Sequence, residues 1–318
     1  MDACAFASFL THIPVLTRPQ CAQVLALLAA IVNQARTADV IEEAAAPGLC
    51  CPRCEGKQLY RHGTKNGLQR FRCRACGRTF NSLSGTPLAR LRHKDKWLDY
   101  CDCMLDSRTV RKAASRVGVA KNTSLRWRHR LLTLTKTDRP ACLTGIAEAD
   151  ETFLLESRKG ARKLDRPARK RGSKASQRGV SKEHVCILVA RDRSGQTCDF
   201  VTGRGPVTAT QLKTHLAPIL ADDALLVTDA NKAYQAFADQ TGISHDYVNL
   251  SAGERVRGAI HVQNVNGYHS RFHGWLRGFR GVATRYLPNY LGWRWAIDQA
   301  RINSPEILLR AAIGVFNT

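Results

Sequence analysis

Ile146-Ala-Glu-Ala-Asp-Glu-Thr-Phe153 is the stretch on which the fold turns. Its apolar and polar residues alternate, which predicts a β-strand with Glu148 and Asp150 on one face and Glu151 on the other. Downstream, His184–Ala190 and Thr197–Thr202 read as a hairpin around the turn Arg191–Gly195, and Thr208–Leu220 as an amphipathic helix. Ala224-Leu-Leu-Val-Thr-Asp229 is an apolar run ending on an acid. That is the signature of a buried strand presenting Asp229 at its carboxyl end, where α/β proteins place functional groups. A helical run over Lys232–Ala238 follows, so a capping role for Asp229 is the competing reading. His261–Leu276 then places Asn266, His269 and His273 on one helical face at spacings of three and four. The two histidines have no evident third ligand, so no zinc site is expected there. Strands interleaved with helices define an α/β domain over residues 144–300.

Upstream, Cys51-x2-Cys54 and Cys73-x2-Cys76 are separated by 18 residues. Two such knuckles suit a tetrahedral four-thiolate zinc site, and the short segment 47–82 around them needs metal to fold. Leu59, Tyr60 and Phe71 have strand character, and Asn66-Gly67 is a hairpin turn signal. Between this zinc ribbon and the α/β domain, residues 92–134 read as a helix-turn-helix. The turn falls at Gly118, and Val117, Val119, Leu125 and Trp127 form the expected apolar seam. Lys121, Asn122, Thr123, Arg126, Arg128 and Arg130 are left for an outward face that could enter a DNA major groove. Residues 1–46 read as a packing or dimerisation helix, and 301–318 as a last helical tail opening at Ser304-Pro305. The segment Ser157–Lys182 is densely basic, with Lys170 and Arg171 at its centre and Asp165 as its acid. Placed directly after the candidate catalytic strand, it is expected to be mobile alone and to touch phosphates.

Composition points the same way. With 49 Lys and Arg against 26 Asp and Glu, the chain carries a net charge of +23, which calls for a polyanionic partner. Its longest apolar run, Val24–Val32, is far short of the ~20 residues that span a bilayer, so no membrane partner is expected. The opening MDACAFASFL lacks the basic start of an export signal. A cytoplasmic protein bound to nucleic acid is the expectation.

Five blocks occur in order: CPRCEGKQLYRHGTKNGLQRFRCRACGRTF from Cys51, LSGTPL from Leu83, ADETF from Ala149, VTDANKAY from Val227, and HVQNVNGYHSRFHGWLRGFRGVATRYLPNYLGWR from His261. Together they resemble the ISXO-type transposases of bacterial insertion sequences, over about residues 47–298. The resemblance implies a ribonuclease H-like fold with a catalytic Asp-Asp-Asn or Asp-Asp-Glu set, falling here on Asp150, Asp229 and Asn266. It implies two Mg2+ (or Mn2+) ions held by those three residues, beside one structural Zn2+ on Cys51, Cys54, Cys73 and Cys76. Where related enzymes often carry a lysine or arginine seven residues after the third ligand, this chain has His273, with Arg271, Arg277 and Arg280 as alternative DNA contacts. The implied reaction is metal-dependent cleavage and 3′-OH strand transfer by a homodimer or higher multimer bound to terminal inverted repeats and target DNA. The rival readings are a silent DNA-binding regulator, which the neutral Asn266 and His273 favour, and a nuclease or junction resolvase with the same chemistry.

Overall fold

The computed structural model describes residues 2–170, 172–249 and 252–316, and these fall into two compact units. Residues 2–106, 110–131 and 303–316 make the first, and residues 107–109 and 132–302 the second.

The first unit opens with helices α1 (Ala3–His12) and α2 (Arg18–Ala45). Thr17 and Gln20 form a capping box at the start of α2, and Pro19 occupies its first turn, where a missing N–H costs nothing. Only the carboxyl half of α2 is buried, through Thr37, Ala38, Val40, Ile41 and Ala44; Leu25, Leu27, Leu28, Ile31 and Val32 are exposed. By length and composition the helix is apolar enough to cross a membrane, with a mean hydropathy of 1.5 over its most apolar window. The contiguous run Val24–Val32 understates this, because isolated polar residues interrupt a longer apolar stretch. The last helix, α10 (Pro305–Ala312), is capped by Ser304 and buries Leu308, Leu309 and Ala312 while packing on α2 and on α3 (Trp97–Leu105). Ion pairs Arg310–Glu43, at 3.0 Å, and Arg36–Glu306 flank that packing.

The ribbon is an antiparallel meander of β1 (Leu59–Lys65), β2 (Leu68–Cys73) and β3 (Thr79–Phe80). Asn66 and Gly67 both have positive φ, 54° and 77°, as the tight turn between twisted strands demands. Helices α4 (Val110–Val117) and α5 (Lys121–Thr135) meet around Gly118, which adopts φ 63°. The face α5 buries differs from the expected one: Ser124, Trp127, Arg128 and Leu131 point inward, and Leu125 is exposed. The phenol of Tyr100 explains the choice. It donates to the Ser124 backbone carbonyl at 2.5 Å and lies 2.9 Å from the Ser124 hydroxyl, while Trp127 packs edge-on against the same ring.

The second unit is built on a five-stranded sheet. Its strands are β4 (Ile146–Leu155), β5 (His184–Asp192), β6 (Thr197–Arg204), β7 (Leu225–Asp229) and β8 (His245–Val248), in the order β6-β5-β4-β7-β8. The first three are antiparallel, and β7 and β8 run parallel to β4. Period-2 alternation divides β4. Ala147 and Ala149 enter a core closed by α6 (Ala209–Leu216) and α7 (Lys232–Thr241), whereas Glu148 and Asp150 face α8 (Gln263–Arg277). Behind α8, Trp275 and Phe279 form an aromatic cluster with Tyr290 and Trp293 of α9 (Leu287–Asp298).

Candidate active site

Helix α8 runs alongside β4 in the same direction, and the two match step for step. Two strand residues advance about 6.6 Å and four helix residues about 6 Å, so contacts recur along the seam. At its start, Glu148 Oε2 accepts the backbone N–H groups of Asn264 and Val265 at 2.8 and 3.0 Å. Glu148 Oε1 accepts the Asn264 side-chain amide and lies 2.7 Å from Arg193 Nη1. A fully buried carboxylate thus caps a helix whose own N-cap, Val262, cannot. One step on, His269 Nδ1 lies 3.8 Å from Asp150 Oδ2. The next step brings His273 Nε2 to 2.6 Å from Thr152 Oγ1.

Asp150 and Asp229 belong together. Glu148 pairs with Val227 across the parallel strands β4 and β7, and continuing that register two residues sets Asp150 beside Asp229. Burial pushes the Asp150 carboxyl up to about 7; the Glu151 N–H it accepts opposes this, and the Asp229 charge adds to it. Glu151, on the opposite strand face beside the buried Tyr234, is likewise pushed by burial to about 7. Asp229 is not the cap of α7: Asn231 fills that role, accepting from Ala233 N, while Asp229 accepts only the Asn231 N–H locally. The competing reading of Asp229 is therefore removed, and its carboxylate stays at the carboxyl end of β7, beside Asp150.

The helix presents its residues differently from expectation. Asn266 is exposed, and its side chain makes no hydrogen bond among the described residues. His269 is the α8 side chain that meets Asp150. It is buried, its Nε2 has no partner among the described residues, and burial followed by the neighbouring His273 lowers it to about 4, leaving a neutral imidazole. Sequence reading had set this residue aside for want of a third ligand. His273 is half-buried, with its Nε2 turned to Thr152.

The residues present fit a divalent cation: two carboxylates on adjacent strands, one of them forced toward neutrality by burial and by its neighbour's charge, are relieved by a cation between them. Among the described residues, the His, Cys, Asp and Glu ligands converging within 4.8 Å are Cys51, Cys54, Cys73 and Cys76. Their sulfurs approach to 3.5 Å for Cys51–Cys76 and 3.6 Å for Cys54–Cys73, close to the ~3.8 Å edge of a tetrahedron with ~2.3 Å zinc–sulfur bonds. The two knuckles repeat one backbone pattern, Glu55 N to Cys51 O and Gly77 N to Cys73 O. The N–H of Arg53 lowers Cys51 to about 7 and that of Cys76 lowers Cys73, whereas Cys54, despite the opposing Gly56 N–H, is pushed up to about 12 by the sulfurs of Cys76 and Cys73. This four-cysteine cluster is consistent with structural zinc.

Of the remaining residues expected to touch DNA, Lys121, Asn122 and Arg126 are exposed on α5, and Thr123 is partly so. Arg128 is a correction: it is fully buried, because the helix turns its Ser124–Trp127–Arg128 face inward. Arg130 is partly buried and donates to the Pro87 carbonyl at 2.9 Å. Lys170 and Arg277 are exposed; Arg171 lies outside the described residues. Within the basic segment, Arg158 pairs with Glu156 and Asp165, and Arg169 with Glu183. Its exposed cations include Arg162, Lys163, Lys170, Lys174 and Arg178.

Fold and site together define a class: a mixed α/β domain with an acid pair on adjacent parallel strands, preceded by a four-cysteine ribbon. Comparison with known families places the chain within it. Residues 142–295 match the ISXO2-like transposase domain, and residues 45–77 the InsA N-terminal domain, which supplies the ribbon. The chain thus carries the DDE transposase domain of an insertion element, with an InsA-type zinc ribbon ahead of it. A similar relative is an uncharacterised protein in transposable element ISH50 of Halobacterium salinarum, 29% identical over 77% of this chain and 83% of the relative. The InsA protein of insertion element iso-IS1N from Shigella dysenteriae is 51% identical, over 11% of this chain and 41% of its own. Among solved structures, a simian T-cell lymphotropic virus intasome in complex with a PP2A regulatory subunit aligns over 64% of this chain and 70% of its own, at 12% identity and a TM-score of 0.30, too low to carry weight.

Proposed function

We propose that the chain binds the terminal inverted repeats of its element and catalyses metal-dependent cleavage and 3′-OH strand transfer, with Asp150, Asp229 and Asn266 as the metal-holding residues. The observation that carries this reading is the half-buried Asp150, raised to about 7, beside Asp229 on the adjacent parallel strand. A pair of Mg2+ or Mn2+ ions would supply activation of an attacking oxygen and stabilisation of a leaving one. The chain's own contribution is positioning. Glu148 fixes the start of α8, so that Asn266, exposed one turn before His269, has room to offer its carbonyl oxygen as DNA approaches. An open set of ligands leaves positions for phosphate oxygens and water.

Binding of the ends falls to the ribbon and to the outward residues of α4 and α5 acting as a helix-turn-helix, with Lys170 and Arg277 near the catalytic sheet as further phosphate contacts. The exposed leucines of α2 offer a surface for self-association into the dimer or larger assembly that must hold two ends. The setting is the cytoplasm, on the nucleoid. A silent regulator would not need an unpaired acid held at this cost, which favours the catalytic reading.

The test is joining in vitro, with zinc-loaded protein, labelled element-end DNA, a plasmid target and Mg2+ or Mn2+. Joining that requires metal and is abolished by Asp150→Ala and by Asp229→Ala is the expected result. Tight end binding with neither cleavage nor joining would establish the regulator, and cleavage without joining the nuclease.

A further inference from the structure

The first unit contains a cleft of about 880 Å3 between the tip of the ribbon hairpin and the segment 81–95. Its walls carry Lys65, Arg90, Arg92, His93 and Lys94 against the single acid Asp95. A smaller concavity of about 250 Å3 shares Lys65, Asn81 and Ser84 with it and adds Arg70, so the cationic strip continues along the hairpin.

Two observations bear on these cations. The first is their freedom. Many arginines elsewhere are engaged by acids, as Arg139 is by Asp199 and Arg191 by Asp298. Among the described residues, Lys65, Arg90 and Arg92 have no acidic partner, and Arg90 and Arg92 are exposed. The second is backbone strain. Arg90 and His93 are held at φ 63° and 60°, a left-handed conformation that a residue with a Cβ adopts unwillingly.

The surroundings impose that conformation. Leu88 and Leu91 are buried on the inner side; Trp97 Nε1 donates to the Arg92 carbonyl at 3.2 Å and Thr37 Oγ1 to the Lys94 carbonyl at 3.2 Å. Lys94 Nζ reaches across to the Asn66 carbonyl at 3.3 Å and ties the segment to the hairpin. The backbone is thus pinned so that apolar residues turn in while arginines line the cleft, at two positions where glycine would fold more easily. Strain of this kind is kept where it aims side chains at a ligand.

We propose that this cleft is a seat for the sugar-phosphate backbone of double-stranded DNA, separate from the outward face of α5, with Lys65, Arg90 and Arg92 as its phosphate contacts. The inference rests on the DNA-binding reading above and deepens it by giving the ribbon a contact surface of its own. Its contacts go to phosphates, so the seat adds affinity and fixes register without reading sequence. Each phosphate contact contributes about 0.9 to the slope of log K against log salt, or about tenfold in affinity near 0.1 M salt.

The experiment measures binding of a labelled element-end duplex to full-length, zinc-loaded protein by fluorescence anisotropy across a KCl series, together with thermal melting. The proteins are the wild type, Arg90→Gly, the double variant Lys65→Ala/Arg92→Ala, and Lys121→Ala/Arg126→Ala on α5. Arg90→Gly removes the charge and relieves the backbone together, so it should melt higher while binding about tenfold more weakly. The Lys65/Arg92 double variant should lose about two from the salt slope and about a hundredfold in affinity at 0.1 M salt, with unchanged zinc content. Wild-type affinity and slope in both cleft variants, alongside weakened binding by the α5 variant, would overturn the cleft and leave the DNA-binding reading standing. A wild type that shows no salt-dependent binding would remove that reading and the cleft with it.

Discussion

Glu148 and Asp150 stand two residues apart on the same face of one strand, under the same helix, and their surroundings could hardly differ more. Glu148 is saturated: two backbone N–H groups and a side-chain amide of α8, with Arg193 and His261 within 3.3 Å, share its charge. Asp150 receives one backbone N–H, faces a neutral imidazole at 3.8 Å, and is raised toward 7 by burial and the charge of Asp229. An acid with all its partners is part of the framework, whereas a half-buried acid with few partners is suited to holding a cation. Sequence alternation puts both acids on one face, and only the packing tells them apart.

The largest effect that would sharpen this contrast is on catalysis. Asp150→Asn is expected to lower metal-dependent joining by at least about a thousandfold, in line with losses at electrostatic groups acting on the transition state, while the protein stays folded. Joining is followed on a labelled end, and an asparagine variant with near wild-type activity would erase the distinction. Glu148→Ala should behave oppositely. It leaves Arg193 and the first N–H groups of α8 without their buried acceptor, at a cost of about 3–5 kcal/mol in stability, measurable by urea unfolding. A stable, inactive Glu148→Ala would mean that this acid also belongs to the chemistry.

A third contrast lies in pH. An acid whose pKa is raised on folding stabilises the native state fully below its unfolded value and loses that contribution as pH rises through the folded one. For Asp150 the window runs from about 4 to about 7. Metal-free wild type should therefore lose stability across this window, Asp150→Asn should lose less, and added Mg2+ should restore more stability at pH 8 than at pH 5. Thermal melting at several pH values checks this; equal Mg2+ effects at both ends would break it. The smallest effect is expected of His269→Gln, which removes the imidazole facing Asp150. It should weaken Mn2+ binding by about tenfold, the lower end of losses for groups that orient a metal ligand, with little change in zinc content.

How far these features were legible in the sequence depends on how local their causes are. The ribbon could be read outright, since ligand spacing and the Asn66-Gly67 turn fix it within about thirty residues. Strand β4, the hairpin β5–β6 and the acid at the end of β7 followed from period and apolar runs, as did the helix carrying Asn266. The face of α5 did not, because Leu125 is more apolar than Arg128 and nothing nearby announces that Tyr100 will draw Ser124 inward. Nor did the capping of α8 by Glu148, a contact across 116 residues, or the meeting of His269 with Asp150. The packing of α10 on α2 and α3 joins the two ends of the chain, and no periodicity encodes it.

The central claim, that Asp150 and Asp229 form the cation-holding pair, is tested most directly by titrating Mn2+ into zinc-loaded protein and following free Mn2+ by electron paramagnetic resonance. Wild type should take up Mn2+, and Asp150→Asn and Asp229→Asn should each lose that uptake while retaining one zinc per chain. Undiminished Mn2+ uptake by either asparagine variant would contradict the account.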